Sequence, residues 1–321
     1  GSLRTIGTGD LYTGIHQTLA APTKFDTRWN NKKRVKRYSL VDYMTYNKWD
    51  IILGIHKHEA ESRGYKWKSD NTLNYIERIK TDDTSPTYGI IYRPNSHMSV
   101  SASHSENFDA GSGVNTTFEN FGDILPPLKT KQNEIGVKYK RNNLLYTLAY
   151  YDIKQDNLIS VYKDGYVKPF QSKDGQARHK GLEFSINGRL ADKWNILGGF
   201  SHMSAKQEKT TKGALDGIRV NGTSEWTAVL GLEYNPNEAW SILGRAIYTG
   251  KTPVMNEKIW APGYTIFDLG VTHKTHFGKI PAELSLMVNN VFDKDYWQVS
   301  RGNQVYLSLP RTFSFTAKLH F

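Results

Sequence analysis

The last strand-like segment of the chain alternates strictly between apolar and polar side chains. Its apolar positions are Phe313, Phe315, Ala317, Leu319 and Phe321, and the residues between them are Thr312, Ser314, Thr316, Lys318 and His320. A period of two is that of a β-strand with one face against an apolar phase. That phase is a protein core in a soluble sheet and lipid in a membrane barrel. The alternation therefore establishes a strand and leaves both environments open.

The lengths of the connections between such strands favour the membrane barrel. Short connections fall at 47–50, 94–97, 141–143, 191–194, 235–240 and 276–281, and long polar ones near 64–84, 107–130, 155–178, 207–223, 251–263 and 291–310. Membrane barrels have short turns at the periplasmic end and long loops at the extracellular end. We predict an all-β, transmembrane antiparallel barrel sheet of about 14 strands, with the long connections extracellular.

The internal strands repeat the same alternation. Apolar rows include Leu182, Phe184 and Ile186, while the intervening polar rows contain Glu183, Glu233, Asp268 and Glu283. Three tryptophans, Trp49, Trp194 and Trp240, lie in or beside short turns. Because an amphipathic ring is accommodated well among lipid headgroups, we expect these tryptophans to form part of an aromatic girdle.

Composition excludes some classes and leaves others open. No stretch is long and apolar enough for a transmembrane helix, and the mean hydropathy is −0.58 although aromatics make up 12%. The chain has no cysteine and a formal net charge of +11. That charge favours an anionic partner, which could be nucleic acid, lipopolysaccharide or an anionic ligand, although a solvated basic surface is equally consistent with it. Residues 1–20 lack the pattern of a secretory signal peptide, so we expect a mature protein or a fragment.

Four segments carry a resemblance to a known family. They are Ser85–Tyr92 followed by Ser99–Ser105; Leu125-Pro-Pro127 followed by Asn133–Lys138; Lys180-Gly-Leu-Glu-Phe184; and a C-terminal block. That block comprises Tyr264-Thr-Ile-Phe-Asp-Leu-Gly270, Asn289-Asn-Val-Phe-Asp-Lys-Asp-Tyr-Trp297, Pro310-Arg-Thr-Phe313 and Phe321. In this order and spacing, from about Tyr38 to Phe321, the segments resemble the barrels of TonB-dependent siderophore receptors.

The resemblance implies a barrel of about 22 strands closed by an N-terminal plug. This chain shows no plug-like segment and about a third fewer strands, so residues 1–321 are expected to be the C-terminal portion of such a barrel. The edges of an open sheet cannot be satisfied by lipid. The plug domain and the first strands would therefore lie outside this chain.

The resemblance also implies a function and partners. The expected activity is binding of a ferric siderophore at the extracellular face and its import with energy from the TonB–ExbB–ExbD complex, transmitted through the plug. The expected location is the outer membrane of a Gram-negative bacterium, in contact with lipid and lipopolysaccharide. Phe313, Phe315, Leu319 and Phe321 would form the C-terminal outer-membrane signal, with the barrel assembly machinery as partner.

A siderophore receptor needs aromatic and cationic side chains in its extracellular vestibule. The candidates in connections assigned to that end are Phe108, Tyr162, Tyr166, Phe170, Trp260, Trp297 and Tyr306, with Lys163, Lys168 and Arg301. For any single one of them, loop packing or lipopolysaccharide contact is an alternative. The class of chelator, whether hydroxamate, catecholate or mixed, stays open.

The sequence gives little support for a bound metal ion or for a catalytic site. His56 and His58 share one face of a strand without an evident third ligand, and they fit a pair of polar lumen residues. Iron would arrive already held by the siderophore, so no cofactor or metal site is expected. No G-x-S-x-G nucleophile motif occurs, and we expect no enzyme.

Three other functions fit parts of the sequence. A receptor for haem or cobalamin would share the barrel motifs, and a plugless passive barrel or an adhesin would share the alternation. A soluble basic binder of carbohydrate or nucleic acid accounts for the charge but not for the regular order of turns and loops. We therefore expect no nucleic-acid partner.

Overall fold

The computed structural model describes residues 31–68, 70, 72–109, 111, 113–115, 117–300 and 304–320. Within this part of the chain, strands predominate and one single-turn 3-10 helix, Thr211–Gly213, interrupts them. The strands of the main sheet are β1 (Asn31–Tyr46), β2 (Trp49–Trp67), β3 (Leu73–Asn95), β4 (Met98–Asp109), β5 (Leu128–Arg141), β6 (Leu144–Val161), β7 (Phe170–Ala191), β8 (Trp194–Glu208), β9 (Trp226–Asn237), β10 (Trp240–Thr249), β13 (Tyr264–Phe277), β14 (Ile280–Asn289) and β17 (Thr312–Leu319). Two short hairpins complete the set: β11 (Thr252–Val254) with β12 (Ile259–Ala261), and β15 (Trp297–Ser300) with β16 (Gln304–Leu307).

Thirteen of the described strands form one sheet. Each is bonded to the next long strand in the chain, and β1 and β17 are its two edges among the described residues. The paired strands from β3 onward are antiparallel. The prediction of an all-β antiparallel sheet is confirmed, and the predicted number of strands is close to that observed. The short hairpins β11–β12 and β15–β16 lie inside two of the long connections.

The short connections are two-residue turns at the predicted places: 47–48, 96–97, 142–143, 192–193, 238–239 and 278–279. Asn47 and Asn142 adopt φ of 54°, and Gly278 adopts φ of 65°. Tight hairpin turns need positive φ because it matches the twist of the strands, and asparagine and glycine adopt it most readily. The turn residues of the sequence therefore fix the register of these hairpins.

Two of the long connections are much shorter than the sequence predicts. The first, expected at 64–84, is only 68–72, and the third, expected at 155–178, is 162–169. The prediction was wrong at these boundaries because the strands continue past the apolar band as polar hairpins. Backbone hydrogen bonds hold these extensions, and their polar side chains do not interrupt the ladder.

The two faces of the sheet differ as the alternation predicts. We call the apolar face the one that presents Ile135, Tyr150, Leu182 and their equivalents, which lie opposite one another in the register of β5, β6 and β7. The other is the polar face. Ile135 on the apolar face is 60% exposed, whereas Asp268 on the polar face is 2% exposed. An exposed apolar row across consecutive strands is the expected surface for lipid.

The three turn tryptophans each stack on an aromatic ring of the neighbouring strand. The ring centroids are 4.4 Å apart for Trp49 and Tyr92, 4.7 Å for Trp194 and Tyr234, and 4.2 Å for Trp240 and His273. All six rings are on the apolar face at the short-turn end. Their place in an aromatic girdle among lipid headgroups stays a prediction.

The described residues fall into two compact units. Residues 31–33 and 62–78 belong to one, and residues 34–61 and 79–320 to the other. The site described below lies wholly within the second unit. In the described part of the chain, no helix is long and apolar enough to cross a membrane.

Candidate functional site at the long-loop end

Five connections of the second unit lie at the long-loop end, at 110–127, 162–169, 209–225, 250–263 and 290–311; we call them the loop cluster. The first two are joined at the start of β7. Asn120 donates from Nδ2 to the Gln171 carbonyl (3.1 Å), and its Oδ1 accepts the Gln171 N–H (2.9 Å). The Glu119 N–H also donates to the Pro169 carbonyl (2.9 Å). These connections therefore hold one another in place.

The third and fourth connections are joined by a pair of asparagines. The Asn256 N–H donates to Oδ1 of Asn221 (2.8 Å), and Nδ2 of Asn221 donates to Oδ1 of Asn256 (3.2 Å). The Gly222 N–H donates to the Pro253 carbonyl (2.9 Å). Asn256 adopts φ of 57°, a left-handed conformation that asparagine tolerates better than most residues. Asparagine at position 256 thus both tolerates this backbone conformation and makes the contact between the third and fourth connections.

Asp216 closes the third connection on itself. Its Oδ1 accepts the Thr210 N–H (2.7 Å) and the Thr210 hydroxyl (2.8 Å). These hydrogen bonds from Thr210 hold the pKa of the Asp216 carboxyl below its ordinary value. The neighbouring Thr211 accepts the Ser160 N–H at Oγ1 (3.0 Å), which ties the folded connection to β6.

A group of ionic contacts continues from β8 into these connections. Glu225 lies 3.3 Å from Nε2 of His202 and accepts from Nη2 of Arg219 (2.9 Å). Nε of Arg219 is also 3.6 Å from Glu257. The hydrogen bond from His202, followed by the charge of Arg219, keeps the pKa of Glu225 below its ordinary value. These ionic contacts therefore link β8 to the third and fourth connections.

The last connection is held by the motif Asn289–Trp297. Asn290 adopts φ of 54°, and its Oδ1 accepts the Lys294 N–H (2.9 Å) while its Nδ2 donates to the Lys294 carbonyl (2.9 Å). Asp293 accepts the Arg311 N–H (2.7 Å). The Tyr264 and Tyr296 rings stack with centroids 3.9 Å apart. Asparagine and aspartate thus act as turn residues that fold this connection onto itself.

Three of the predicted aromatic residues carry a lysine ammonium over the ring. Lys212 lies over Tyr162 (4.4 Å to the centroid), Lys163 over Phe170 (4.2 Å) and Lys251 over Trp260 (4.7 Å). Tyr166 packs edge-on against Phe170, 4.9 Å between centroids. The structure therefore brings Tyr166, Phe170 and Lys163 together. It pairs Tyr162 with a cation of the third connection and Trp260 with a cation of its own connection.

Trp297 and Tyr306 lie in the hairpin β15–β16, where Trp297 is opposite Leu307 and Tyr306 is opposite Gln298. Strand β12, which carries Trp260, adjoins β15. Tyr306 is 51% exposed. The sequence placed these residues in featureless connections, whereas the structure places them on short hairpins that fix the direction of their side chains.

The remaining predicted residues are placed differently. Phe108 lies within strand β4 rather than in a connection, and its ring meets His58 edge-on at 4.8 Å. The expectation that Phe108 lies in a connection was wrong, because the β4–β5 ladder extends to Asp109 opposite Leu128. Lys168 lies in the second connection and is exposed. Arg301 lies outside the described residues.

The C-terminal strand is an edge of the sheet among the described strands. Phe313, Phe315 and Leu319 lie on the apolar face of β17 and are 66%, 68% and 42% exposed. Phe321 lies outside the described residues. The role of these residues as an outer-membrane signal stays a prediction.

Sequence reasoning missed Lys212 and Lys251. Both are single cations in polar stretches and resemble the other basic residues of the chain. Lys212 reaches a ring in another connection, and Lys251 reaches Trp260 only because the hairpin β11–β12 folds their connection back on itself. The asparagine pair Asn221 and Asn256, separated by 35 residues, was missed for the same reason.

His56 and His58 do lie on one face, with ring centroids 6.3 Å apart. His58 accepts from Nε of Arg37 (3.2 Å), and His56 is bonded to the Ser39 hydroxyl (2.9 Å). In the part of the chain that the structure describes, no group of three or more metal-ligating side chains occurs. The two imidazoles are therefore engaged as hydrogen-bonding residues of the sheet.

The fold and the loop cluster together indicate the class of protein to which the chain belongs. An antiparallel sheet with an exposed apolar face, a polar opposite face, two-residue turns at one end and long interlocked loops at the other is the architecture of transmembrane β-barrel proteins. The family model described as "TonB dependent receptor-like, beta-barrel" matches residues 2–291. The chain therefore belongs to the TonB-dependent receptor β-barrel family, as the sequence motifs predicted.

Curated relatives fall in the same family. The chain is 24% identical over 329 residues to the ferrichrome receptor FcuA of Yersinia enterocolitica, covering 96% of this chain and 41% of that protein. It is 27% identical to the ferrichrome outer membrane transporter/phage receptor of Escherichia coli K12, covering 72% and 32%. It is 24% identical to the metal-pseudopaline receptor CntO of Pseudomonas aeruginosa, covering 97% and 44%. The chain thus spans less than half the length of these relatives.

Solved structures share the fold. The ferric preacinetobactin receptor BauA of Acinetobacter baumannii superposes with a TM-score of 0.79 at 24% identity, covering 90% of this chain and 43% of that one. The siderophore receptor PiuA of the same organism superposes with a TM-score of 0.73 at 20% identity, covering 89% and 43%. The ladder of described strands runs without closing from β1 to β17, so the chain holds part of such a sheet.

Proposed function

We propose that this chain is the C-terminal portion of an outer-membrane receptor barrel that binds a ferric siderophore at its long-loop end. In this proposal the complete receptor imports the complex with energy transduced by the TonB–ExbB–ExbD complex, and the chain acts by binding rather than by catalysis. Family membership and the siderophore receptors among its relatives support the proposal. The observation that carries it is the set of three lysine–aromatic pairs in the loop cluster.

These pairs combine two properties that a metal chelate complex requires. Lys212 places its ammonium group over Tyr162 of another connection, whereas Lys163 and Lys251 lie over rings close to them in the chain, Phe170 and Trp260. A cation–π contact orders a lysine that would otherwise lose rotamer freedom on binding a ligand. The ammonium groups complement a negatively charged complex, and the rings, of which Tyr162 is exposed, offer stacking to its organic part. Trp297 and Tyr306 add aromatic surface on the hairpin β15–β16.

The rest of the receptor follows from the open sheet. Strands β1 and β17 are edges among the described residues, and lipid cannot satisfy unpaired backbone groups. Further strands, and a plug that carries the contact with the energy-transducing complex, would complete the barrel. The short span of this chain relative to its relatives supports that view.

The test uses an iron-starved Gram-negative strain that expresses the complete receptor. Growth is measured with ferric hydroxamate, catecholate and mixed-ligand siderophores. Haem and cobalamin are tested separately as competitors for binding. One ferric siderophore should restore growth. Trp260→Ala, Lys251→Gln and Trp297→Ala should each weaken its binding by about tenfold, which is typical of central aromatic contacts.

The matched control is Trp194→Phe, at the opposite end of the sheet. It should leave ligand affinity unchanged while surface expression stays equal in all variants. If a correctly inserted receptor restores growth with no ferric siderophore but binds haem or cobalamin, the proposed cargo is wrong. Conductance by this chain without any plug polypeptide would contradict the proposed architecture.

A further inference from the structure

The carboxylates of the third and fourth connections are occupied by other groups of the protein. Oδ1 of Asp216 accepts two hydrogen bonds within its own connection. Glu225 accepts from Nη2 of Arg219 (2.9 Å) and lies 3.3 Å from Nε2 of His202, and Glu257 is 3.6 Å from Nε of the same arginine. These two connections contain no other aspartate or glutamate. Their own acidic groups are therefore engaged away from their lysines.

Three exposed lysines of the loop cluster lie over aromatic rings instead. They are Lys163 of the second connection, Lys212 of the third and Lys251 of the fourth. In the part of the chain that the structure describes, none of the three forms an ion pair with a carboxylate. A ring face attracts an ammonium group but carries no net charge. The three positive charges are therefore held in place and not compensated.

Hydrogen bonds join the three connections that carry these lysines. Oγ1 of Thr211, next to Lys212, accepts the Ser160 N–H at the end of β6, from which the second connection starts. The third and fourth connections are joined by Asn221 and Asn256. The positive charges therefore belong to one linked set of loops rather than to independent ones.

Aromatic surface is available beside these charges. Tyr162 and Tyr166 of the second connection and Tyr306 of the last connection are each more than half exposed. Trp260, under Lys251, is partly exposed. Aromatic rings pack favourably against other rings in offset-stacked or edge-to-face arrangements. The loop cluster therefore offers ring surfaces and uncompensated cations together.

Ferric complexes differ in these same two properties, because their donor groups differ. Donor groups lose their protons on binding a metal ion. A hydroxamate then carries one negative charge, so three of them around a ferric ion give a neutral complex. A catecholate carries two, so three of them give a complex with three negative charges. Catecholate donors are also aromatic rings, whereas hydroxamate donors are not.

We propose that the receptor selects a ferric tris-catecholate over neutral tris-hydroxamate complexes. This ligand class rests on the proposed function, which it narrows. Lys163, Lys212 and Lys251 face the negative charge of the complex, and the neighbouring rings stack on its catechol groups. A neutral complex would cover the three ammonium groups without supplying a counter-charge, which disfavours it. An anionic complex without rings, such as ferric citrate, would meet only the requirement for charge.

The experiment measures equilibrium binding to the complete receptor in detergent. The probes are the ferric complexes of a tripodal tris-catecholate and of a tris-hydroxamate on the same scaffold, together with ferric citrate and haem. The tris-catecholate should bind at least about 30-fold more tightly than the tris-hydroxamate at low salt. That preference should shrink to a few fold between about 50 mM and 500 mM sodium chloride, because salt screens exposed charges.

The variant Lys163→Gln/Lys212→Gln/Lys251→Gln tests the cations directly. It should bind the tris-catecholate on the order of 100-fold more weakly, since each charge-assisted contact contributes several fold. Its affinity for the tris-hydroxamate should change by less than about threefold. Arginine at the same three positions keeps both the charge and the ring contact and should retain the preference. An equal loss for both complexes would show that the lysines only hold the loops, and would overturn the inference.

The matched control is Lys48→Gln/Lys193→Gln/Lys279→Gln, which removes the same charge from exposed two-residue turns at the opposite end of the sheet. Its preference for the tris-catecholate should stay within about twofold of that of the unmodified receptor. An equal loss of preference in this control would overturn the inference, because net charge alone would then explain it. Equally tight binding of ferric citrate would also overturn it, since the rings would then contribute nothing.

The same measurements separate this inference from the proposed function. If the tris-hydroxamate binds more tightly and independently of the three lysines, the receptor still binds a ferric siderophore, and only the ligand class fails. If haem binds to the folded receptor and no ferric siderophore does, the proposed function and the ligand class fail together.

Discussion

Arg245 and Asp268 form a forked contact on the polar face. Nε and Nη2 of Arg245 both donate to Oδ2 of Asp268, at 2.9 and 2.7 Å, while Oδ1 of Asp268 accepts the Asn290 N–H at 2.8 Å. Asp268 is 2% exposed. One carboxylate therefore joins β10, β13 and the first residue of the last connection, so that the sheet itself positions the loop that carries Trp297.

Replacing this carboxylate should destabilise both the sheet and the last connection. Asp268→Ala leaves Arg245 without its partner and the Asn290 N–H without an acceptor, and we expect a loss of about 2 kcal/mol in the free energy of unfolding. Urea unfolding of the complete receptor in detergent measures the loss. Asp192→Asn, in an exposed two-residue turn, is the control and should change stability by less than about 0.5 kcal/mol. Equal stability of both variants would contradict the anchoring role.

The asparagine pair should control the order of two connections together. Asn221→Ala removes the acceptor of the Asn256 N–H without changing any left-handed residue. Hydrogen exchange should therefore quicken in both 209–225 and 250–263. Asn256→Ala should have a larger effect, because alanine also costs roughly 1 kcal/mol at the φ of 57°. If Asn221→Ala affects only its own connection, the two loops are not coupled.

Acid should loosen the third connection. The pKa of Asp216 is lowered in the folded protein, so its hydrogen bonds to Thr210 contribute stability above the ordinary carboxyl pKa. That contribution is lost as the pH falls through the lowered pKa. Proteolysis at 209–217 by an acid-active protease should therefore rise in the unmodified receptor as the pH falls below the ordinary carboxyl pKa of about 4. In Asp216→Asn the connection should be equally susceptible above and below that pH.

The stacked tryptophans should lie at one membrane depth. Trp49, Trp194 and Trp240 occupy the same level of the apolar face at the short-turn end. Three variants each keep one of these tryptophans and carry phenylalanine at every other tryptophan position. Bromine-labelled lipids should quench the fluorescence of the remaining tryptophan with the same depth profile in all three variants. A variant that keeps only Trp297 should be quenched weakly. Different depths for the three would show that the sheet does not sit in lipid as proposed.

Gly181, in the segment Lys180–Phe184, should not accept a side chain. A Cβ there would collide with the ring of Tyr151, which is 7% exposed, and would lie 2.8 Å from the His202 carbonyl. Gly181→Ala should lower the free energy of unfolding by about 1–3 kcal/mol, and adding Tyr151→Ala should cost less than the two changes predict separately. Gly231→Ala is the control, because its Cβ would meet only ordinary contacts beginning at 3.5 Å.

Much of the fold could be predicted because it depends on local patterns. Asn47 and Gly278 mark tight turns, and alternation such as that of Leu182, Phe184 and Ile186 identifies the apolar face whatever the neighbouring strand contains. Boundaries at the long-loop end could not be predicted, because polar strands and polar loops have similar compositions. Phe108 was assigned to a loop for this reason, although backbone pairing with Lys129 keeps it in β4.

Short-range patterns and motifs in a fixed order were enough to establish the strands, their faces, the short-turn end and the family. Which distant residues meet could be seen only in the folded molecule. The contacts of Lys212 with Tyr162, of Asn221 with Asn256 and of Arg245 with Asp268 depend on the register between strands and on the folding of separate connections. Contacts of this kind join residues tens of positions apart, and their energies become apparent only when the ladder has aligned the strands that carry them.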